Sequence, residues 1–140
     1  MEVGKIFYQT PDGLVIPRDY TDRHHAVWKK DWYTTTFERQ KFREMGGMVL
    51  RLDIKAHREL HANVEPPEKP NHNLMHGMFD YNKKNLDTQN PYERFEELTS
   101  MLGRIADIGG PNAEDAHKLQ QNFLDQQIYI DQGKVEIYHG

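Results

Sequence analysis

The residues of this 140-residue chain whose type and spacing best suit metal binding or proton transfer are histidines in two short segments. His24 and His25 are adjacent, and His57 and His61 are four residues apart. Residues four apart lie on one side of a helix, so His57 and His61 can bind one divalent metal ion together. Adjacent side chains of an extended segment point to opposite faces, so one histidine of the pair can bind the ion while the other takes a proton from water. The pattern therefore predicts a histidine metal site.

The elements that must position these histidines can be predicted from the residues between them. Residues 24–28 are compatible with a short extended segment, and residues 48–52 read as a strand. Asp53 is predicted to cap the N-terminus of a helix over residues 54–63, which would place Ile54, His57 and His61 on one face. The two histidine segments are thus expected on a strand and on the helix that follows another strand.

A further helix is predicted between the two histidine segments. Thr35 and Glu38 have the spacing of a capping box, in which the side chain of each residue accepts a hydrogen bond from the backbone N–H of the other. The helix that follows would bury Phe37 and Phe42 and end at Gly46-Gly47. Trp32 and Tyr33, just before it, are expected to pack in the core.

The flanking regions complete a single α+β domain over residues 1–140. A turn at residues 11–13 predicts a small N-terminal β-hairpin, so residues 1–64 would hold this hairpin and a central strand-and-helix unit. Residues 65–71 read as a proline-rich linker. In residues 72–140, Asn90-Pro91 predicts a helix start. Two helices broken at residues 109–111 would form a C-terminal helical hairpin, with a final strand near residues 135–138.

Composition limits the classes of function. The chain has no cysteine, which excludes disulfides, thiol catalysis and cysteine-ligated zinc. It has no apolar run near the roughly 18 residues of a membrane span and no N-terminal secretory pattern, so we expect no membrane association and a cytoplasmic location. The formal net charge of the chain is −4, yet the stretch between positions 23 and 58 contains nine basic residues and only four acidic ones. This stretch is either a surface for phosphates or an ordinary solvated set of side chains.

The order of these motifs resembles the HNH, or ββα-metal (His-Me finger), endonucleases. The resemblance rests on Arg23-His24-His25, the apolar segment of residues 48–52 and the His57–His61 segment, and it covers about 40 residues. It implies a ββα-like unit that hydrolyses nucleic-acid phosphodiesters, with DNA as the expected partner, and that uses Mg²⁺, Mn²⁺ or Zn²⁺. Carried over by position, His25 would be the general base, and His24, His57 and His61 would bind the metal. The basic residues expected to contact nucleic acid are Arg23, Lys29, Lys30, Arg51 and Arg58.

Two alternatives remain open from the sequence. Met48 stands where the family usually has an asparagine, so the chain can also be a degenerate member: a non-enzymatic protein, of the kind found in phage and bacteria, that binds a protein or nucleic-acid partner. Separately, His72 and His76 form a second pair spaced by four, within a stretch whose structure is ambiguous from sequence. We expect a structural or surface role for this pair, unless it approaches the first site.

Overall fold

The computed structural model describes residues 7–11, 13, 15–17, 20–27, 29–86 and 90–138. It has the predicted α+β class: among the described residues the first and last elements are strands, and the helices lie between them. The N-terminal hairpin is present as β1 (Phe7–Gln9) and β2 (Val15–Pro17), paired antiparallel with Tyr8 opposite Ile16.

The central sheet has three antiparallel strands, β3 (Thr21–Val27), β4 (Gly47–Asp53) and β5 (Lys134–Tyr138), with β4 in the middle. His24 pairs with Leu50, and Leu50 pairs with Val135. Since directly paired residues point to the same face, His24 lies on the face that carries the core residues of β4. A β-bulge between His25 and Val27 ends this regular pairing.

Three helices begin with side-chain caps at the predicted residues. Thr35 and Glu38 form the capping box of α1 (Thr36–Met45). Asp53 accepts a hydrogen bond from the Lys55 backbone at the start of α2 (Ile54–Asn63), and Asn90 accepts one from the Tyr92 backbone at the start of α4 (Pro91–Ile108). These side chains bond to first-turn N–H groups that have no partner within the helix, which explains why local sequence predicts these starts.

The ambiguous stretch after the proline segment is helical. Asn71 caps α3 (His72–Tyr81), and a π-helical turn, Asn82–Leu86, follows it. Helix α4 then packs antiparallel to α5 (Ala113–Asp131), which confirms the predicted helical hairpin, and the Phe95 and Phe123 rings stack between them at 5.1 Å.

One continuous core joins the sheet to the helices. Leu50 and Leu52 of β4 are fully buried and pack in the same cluster as residues from α2, α3, α4 and α5. Trp32 and Tyr33 are buried, as predicted. Phe42 is also buried, but the prediction that Phe37 faces the core is wrong, because Phe37 is 53% exposed. Its ring lies beside His76 instead, with centroids 5.3 Å apart. Among the described residues, no helix combines the length and the apolar character needed to cross a membrane.

Candidate metal centre

Three of the predicted site histidines come together between β3 and α2. His24 projects from β3, while His57 and His61 project from successive turns of α2. Each offers one ring nitrogen, and these three nitrogens all lie within 4.8 Å of one another. The ring centroid of His24 lies 5.6 Å from the ring centroid of His57 and 5.4 Å from that of His61. One small ion can therefore be reached by all three side chains after modest rotations.

The two histidines of α2 already point nitrogens at each other. His57 Nε2 and His61 Nε2 are 2.9 Å apart. Two imidazole nitrogens that bind one zinc ion at about 2.0–2.1 Å with a tetrahedral angle lie about 3.4 Å apart. The pair would need to open by only about half an ångström to hold such an ion.

An acidic residue on the same strand orients His57. Asp22 lies two residues before His24 and therefore on the same face of β3. Its Oδ2 atom is 3.2 Å from His57 Nδ1, which can donate a hydrogen bond to it. This contact leaves Nε2 of His57 as the nitrogen with the lone pair that an ion requires. A carboxylate behind a ligating imidazole is the usual arrangement at protein metal sites.

A buried glutamine on α5 orients His24 from the other side. Gln126 is 2% exposed, and its side-chain nitrogen donates to the Ala26 carbonyl at 3.2 Å and to Asn122 Oδ1 at 2.7 Å. A carbonyl oxygen can only accept a hydrogen bond, so the oxygen of Gln126, 3.1 Å away, accepts one from His24 Nε2–H. Nδ1 of His24 then carries the free lone pair.

The electrostatics favour the neutral form of His24 and His61, which is the form of an imidazole that binds metals. Burial lowers the pKa of His24 to about 4, against a partly opposing hydrogen bond to Gln126 and with further lowering by the neighbouring histidines. Burial also lowers the pKa of His61, assisted by the charges of His57 and Lys29. His24 is therefore uncharged near pH 7.

The ligand set indicates which metals fit. Three imidazoles suit Zn²⁺ and neighbouring transition metals, whereas Mg²⁺ prefers oxygen ligands. His61 is exposed, so the centre faces solvent. Three protein ligands with an open position are typical of catalytic zinc sites rather than of closed structural ones. Of the three expected metals, Zn²⁺ is thus the one the donors suit best.

The structure does not bring His25 into this group. Since it neighbours His24 on β3, its side chain points to the opposite face of the sheet. There the exposed His25 ring lies 5.5 Å from the ring of Tyr138 on β5. The general-base role that the family resemblance gives to His25 therefore stays a prediction, and the geometry places this residue away from the three candidate ligands.

The basic residues expected to contact nucleic acid are divided between surfaces. Arg23 and Arg51 are paired across β3 and β4 on the His25 face, where Arg51 forms an ion pair with Glu136 at 3.1 Å. Lys29 acts electrostatically on His61, and Arg58 is exposed on α2. The Lys30 side chain lies outside the described part of the chain.

Sequence reasoning missed two residues of the centre. Asp22 has a usable signal, because it lies two residues from His24 on a predicted extended segment and shares its face. Gln126 has none, since it is 102 residues from His24 and meets it only through the packing of α5 against the sheet. The second pair, His72 and His76, does not approach this centre; it meets Glu38 elsewhere in the molecule.

Comparisons of the chain with protein-family models, with curated proteins and with solved structures found no match. The function must therefore be inferred from the geometry of the centre and from the chemistry of its residues.

Proposed function

We propose that the chain is a metal-dependent hydrolase that cleaves nucleic-acid phosphodiesters at the centre formed by His24, His57 and His61. The observation that carries the proposal is that His24 of β3 converges with His57 and His61 of α2, the helix that follows β4. The resemblance to HNH nucleases predicts the ligands on these same elements.

The arrangement of elements supports the same proposal. β3 and β4 pair antiparallel, and α2 follows β4 directly at Asp53, so strand, strand and helix form a ββα-like unit. Helix α1 is inserted between the two strands in the chain. This insertion lengthens the connection without separating the strands, because His24 still pairs with Leu50.

Each residue of the centre then has a definite role. His24, His57 and His61 would hold the ion, with Asp22 and Gln126 fixing two of the rings. A divalent ion held there would polarise a phosphate oxygen and activate water. Lys29 and Arg58 supply positive charge on this part of the molecule for a phosphate backbone.

A second candidate function is favoured by the position of His25. With His25 on the opposite face, the alternative is a degenerate HNH-like member: a non-enzymatic interaction protein that keeps the metal centre and binds a protein or nucleic-acid partner. The two functions share the metal centre and differ only in turnover, so an activity assay distinguishes them.

The test is cleavage of supercoiled plasmid DNA and of single-stranded RNA with Zn²⁺, Mn²⁺ or Mg²⁺. We expect nicking by the wild type and by His117→Ala, which alters an exposed histidine outside both histidine groups. The double variant His57→Ala, His61→Ala should fall to the level of chelator-treated protein. If His25 is the base, His25→Ala should lose about 10²–10⁴-fold in rate. No cleavage by the wild type with any of the metals supports the interaction protein instead.

A further inference from the structure

A second group of metal-ligand side chains lies between α1 and α3. His72 and His76 are one turn apart on α3, and Glu38 of α1 faces both of them. Glu38 Oε2 is 3.4 Å from His72 Nδ1 and 3.7 Å from His76 Nε2. One ligand atom from each residue falls within 4.8 Å of the other two.

The carboxylate of Glu38 is the unusual member of this group. The residue has no solvent exposure. Its Oε1 atom accepts hydrogen bonds from the Thr34 and Thr35 backbones and from the Thr34 hydroxyl. Its Oε2 atom is buried and, among the described residues, has no hydrogen-bond partner, and the same is true of His76 Nε2. Buried polar atoms without a hydrogen bond cost free energy, and an ion held between these two atoms would offset that cost.

The surroundings of Glu38 favour its charged form, the form that binds a cation. Burial raises its pKa, but hydrogen bonds from the Thr35 side chain and backbone and the nearby charge of Lys69 outweigh burial and hold this pKa below its usual range. The capping box thus orients one carboxylate oxygen into the helix start and leaves the other facing the two imidazoles.

The distances from Glu38 Oε2 to the two histidine nitrogens fit an ion shared by the three residues better than a direct hydrogen bond. A charge-assisted hydrogen bond between an imidazolium and a carboxylate would close to about 2.7–2.9 Å. Ligand atoms that bind one ion at about 2.0–2.2 Å with a tetrahedral angle lie about 3.3–3.6 Å apart. The two separations from Oε2 are close to this second range.

The surroundings leave the group open on one side and packed on the other. The side chains of His72 and His76 are 64% and 42% exposed, so the group lies at the edge of the molecular surface, with the His76 Nε2 and Glu38 Oε2 atoms themselves buried. Phe79 stacks on the His76 ring at 6.1 Å, and the exposed ring of Phe37 lies on it at 5.3 Å. These contacts restrict the rotation of His76.

We propose that Glu38, His72 and His76 form a second site for a divalent transition-metal ion, independent of the first centre. Two imidazoles and one carboxylate with open positions are a ligand set used for Zn²⁺ and Fe²⁺. The bound ion would link the start of α1 to α3. Because it includes an oxygen ligand, this site should accept harder ions such as Mn²⁺ more readily than the all-histidine centre.

The test is the stoichiometry of Co²⁺ binding, measured by equilibrium dialysis and by the visible absorption of the bound ion. The wild type should bind two ions per chain. The double variant His72→Ala, His76→Ala removes two exposed side chains and should bind one ion, with its far-UV circular dichroism unchanged. His117→Ala, the matched control, should bind two.

The reciprocal variants separate this inference from the proposed function. His57→Ala, His61→Ala should also bind one ion, and Glu38→Gln, which keeps an acceptor for the helix cap, should weaken only the second site. A His72→Ala, His76→Ala protein that binds as many ions as the wild type overturns the second site. If that variant loses one ion while His57→Ala, His61→Ala loses none, the second site stands and the proposed function fails.

Discussion

At the scale of single residues, the feature that distinguishes the first centre is the pair of residues, Asp22 and Gln126, that hydrogen-bond to two of its histidines. Two helical histidines spaced by four often are solvated surface residues, and the spacing alone does not separate the cases. Here Asp22 holds Nδ1 of His57, and Gln126 holds Nε2 of His24. Both rings are thereby fixed with one nitrogen available, which lowers the entropy lost when an ion binds.

Replacement of Asp22 by asparagine should weaken metal binding without unfolding the protein. Asparagine keeps the size and one acceptor for His57 Nδ1 but removes the negative charge that faces this ring. We expect a loss of about 10–100-fold in Zn²⁺ affinity at the first centre. The affinity is measured by competition with a chromophoric chelator, in the His72→Ala, His76→Ala background.

The control for this change is Asp125→Asn, which removes the same charge from an exposed position on α5. Its Zn²⁺ affinity should equal that of the unmodified background. Equal affinities for Asp22→Asn and Asp125→Asn would show that Asp22 does not support a ligand.

At the scale of elements, the sheet that carries His24 is completed by the turn that brings β5 back to β4 after α5. Gly133 lies in this turn against β4, and a Cβ atom there would be 2.6 Å from the Arg51 carbonyl oxygen and 2.6 Å from Leu50 Cδ1. The Tyr92 hydroxyl holds the same turn, since it donates to the Gly133 carbonyl at 2.9 Å and accepts from the Val135 backbone at 3.2 Å. Only glycine fits so close to the neighbouring strand.

Gly133→Ala should therefore destabilise the protein by about 1–3 kcal/mol, the usual cost of overpacking. The measurement is urea unfolding with a chelator present, so that metal binding does not contribute. Gly77→Ala is the matched control, because a Cβ at this position of α3 meets no atom within 4 Å. It should stabilise the helix by about 0.5–1 kcal/mol. Equal midpoints for the two variants would contradict the described packing of the turn.

Element boundaries were predictable where local side chains determine them. The caps at Thr35, Asp53 and Asn90 act within a few residues, and all three begin helices as predicted. The side of a helix that becomes buried depends on distant partners, which is why the prediction for Phe37 was wrong. Glu38 was recognised as a cap, but its contact with α3 depends on the packing of residues far apart in the chain.

At the scale of the whole molecule, the fold class was predictable and the completed sheet was not. Strand and helix patterns and a helical hairpin indicated an α+β domain. The pairing of β5 with β4 joins segments more than 80 residues apart, as in the Arg51–Glu136 ion pair. The two halves on either side of the proline segment therefore share one sheet and one core.

This shared architecture explains why the candidate ligands could be named from the sequence whereas Gln126, which supports His24, could not. His24, His57 and His61 were chosen from spacing and from a family resemblance, and the structure places them together. Gln126 and the second group require the tertiary packing of α5 and α3. Short-range patterns identify residue types suited to a metal, whereas long-range contacts decide which of them meet.

The central claim is that His24, His57 and His61 bind one metal ion, and anomalous diffraction at the zinc edge tests it most directly. Crystals of the Zn²⁺-loaded protein should show a peak about 2.0–2.1 Å from one nitrogen of each of the three rings. Zinc bound only at Glu38, His72 and His76, or no zinc peak between β3 and α2, would contradict the proposed centre.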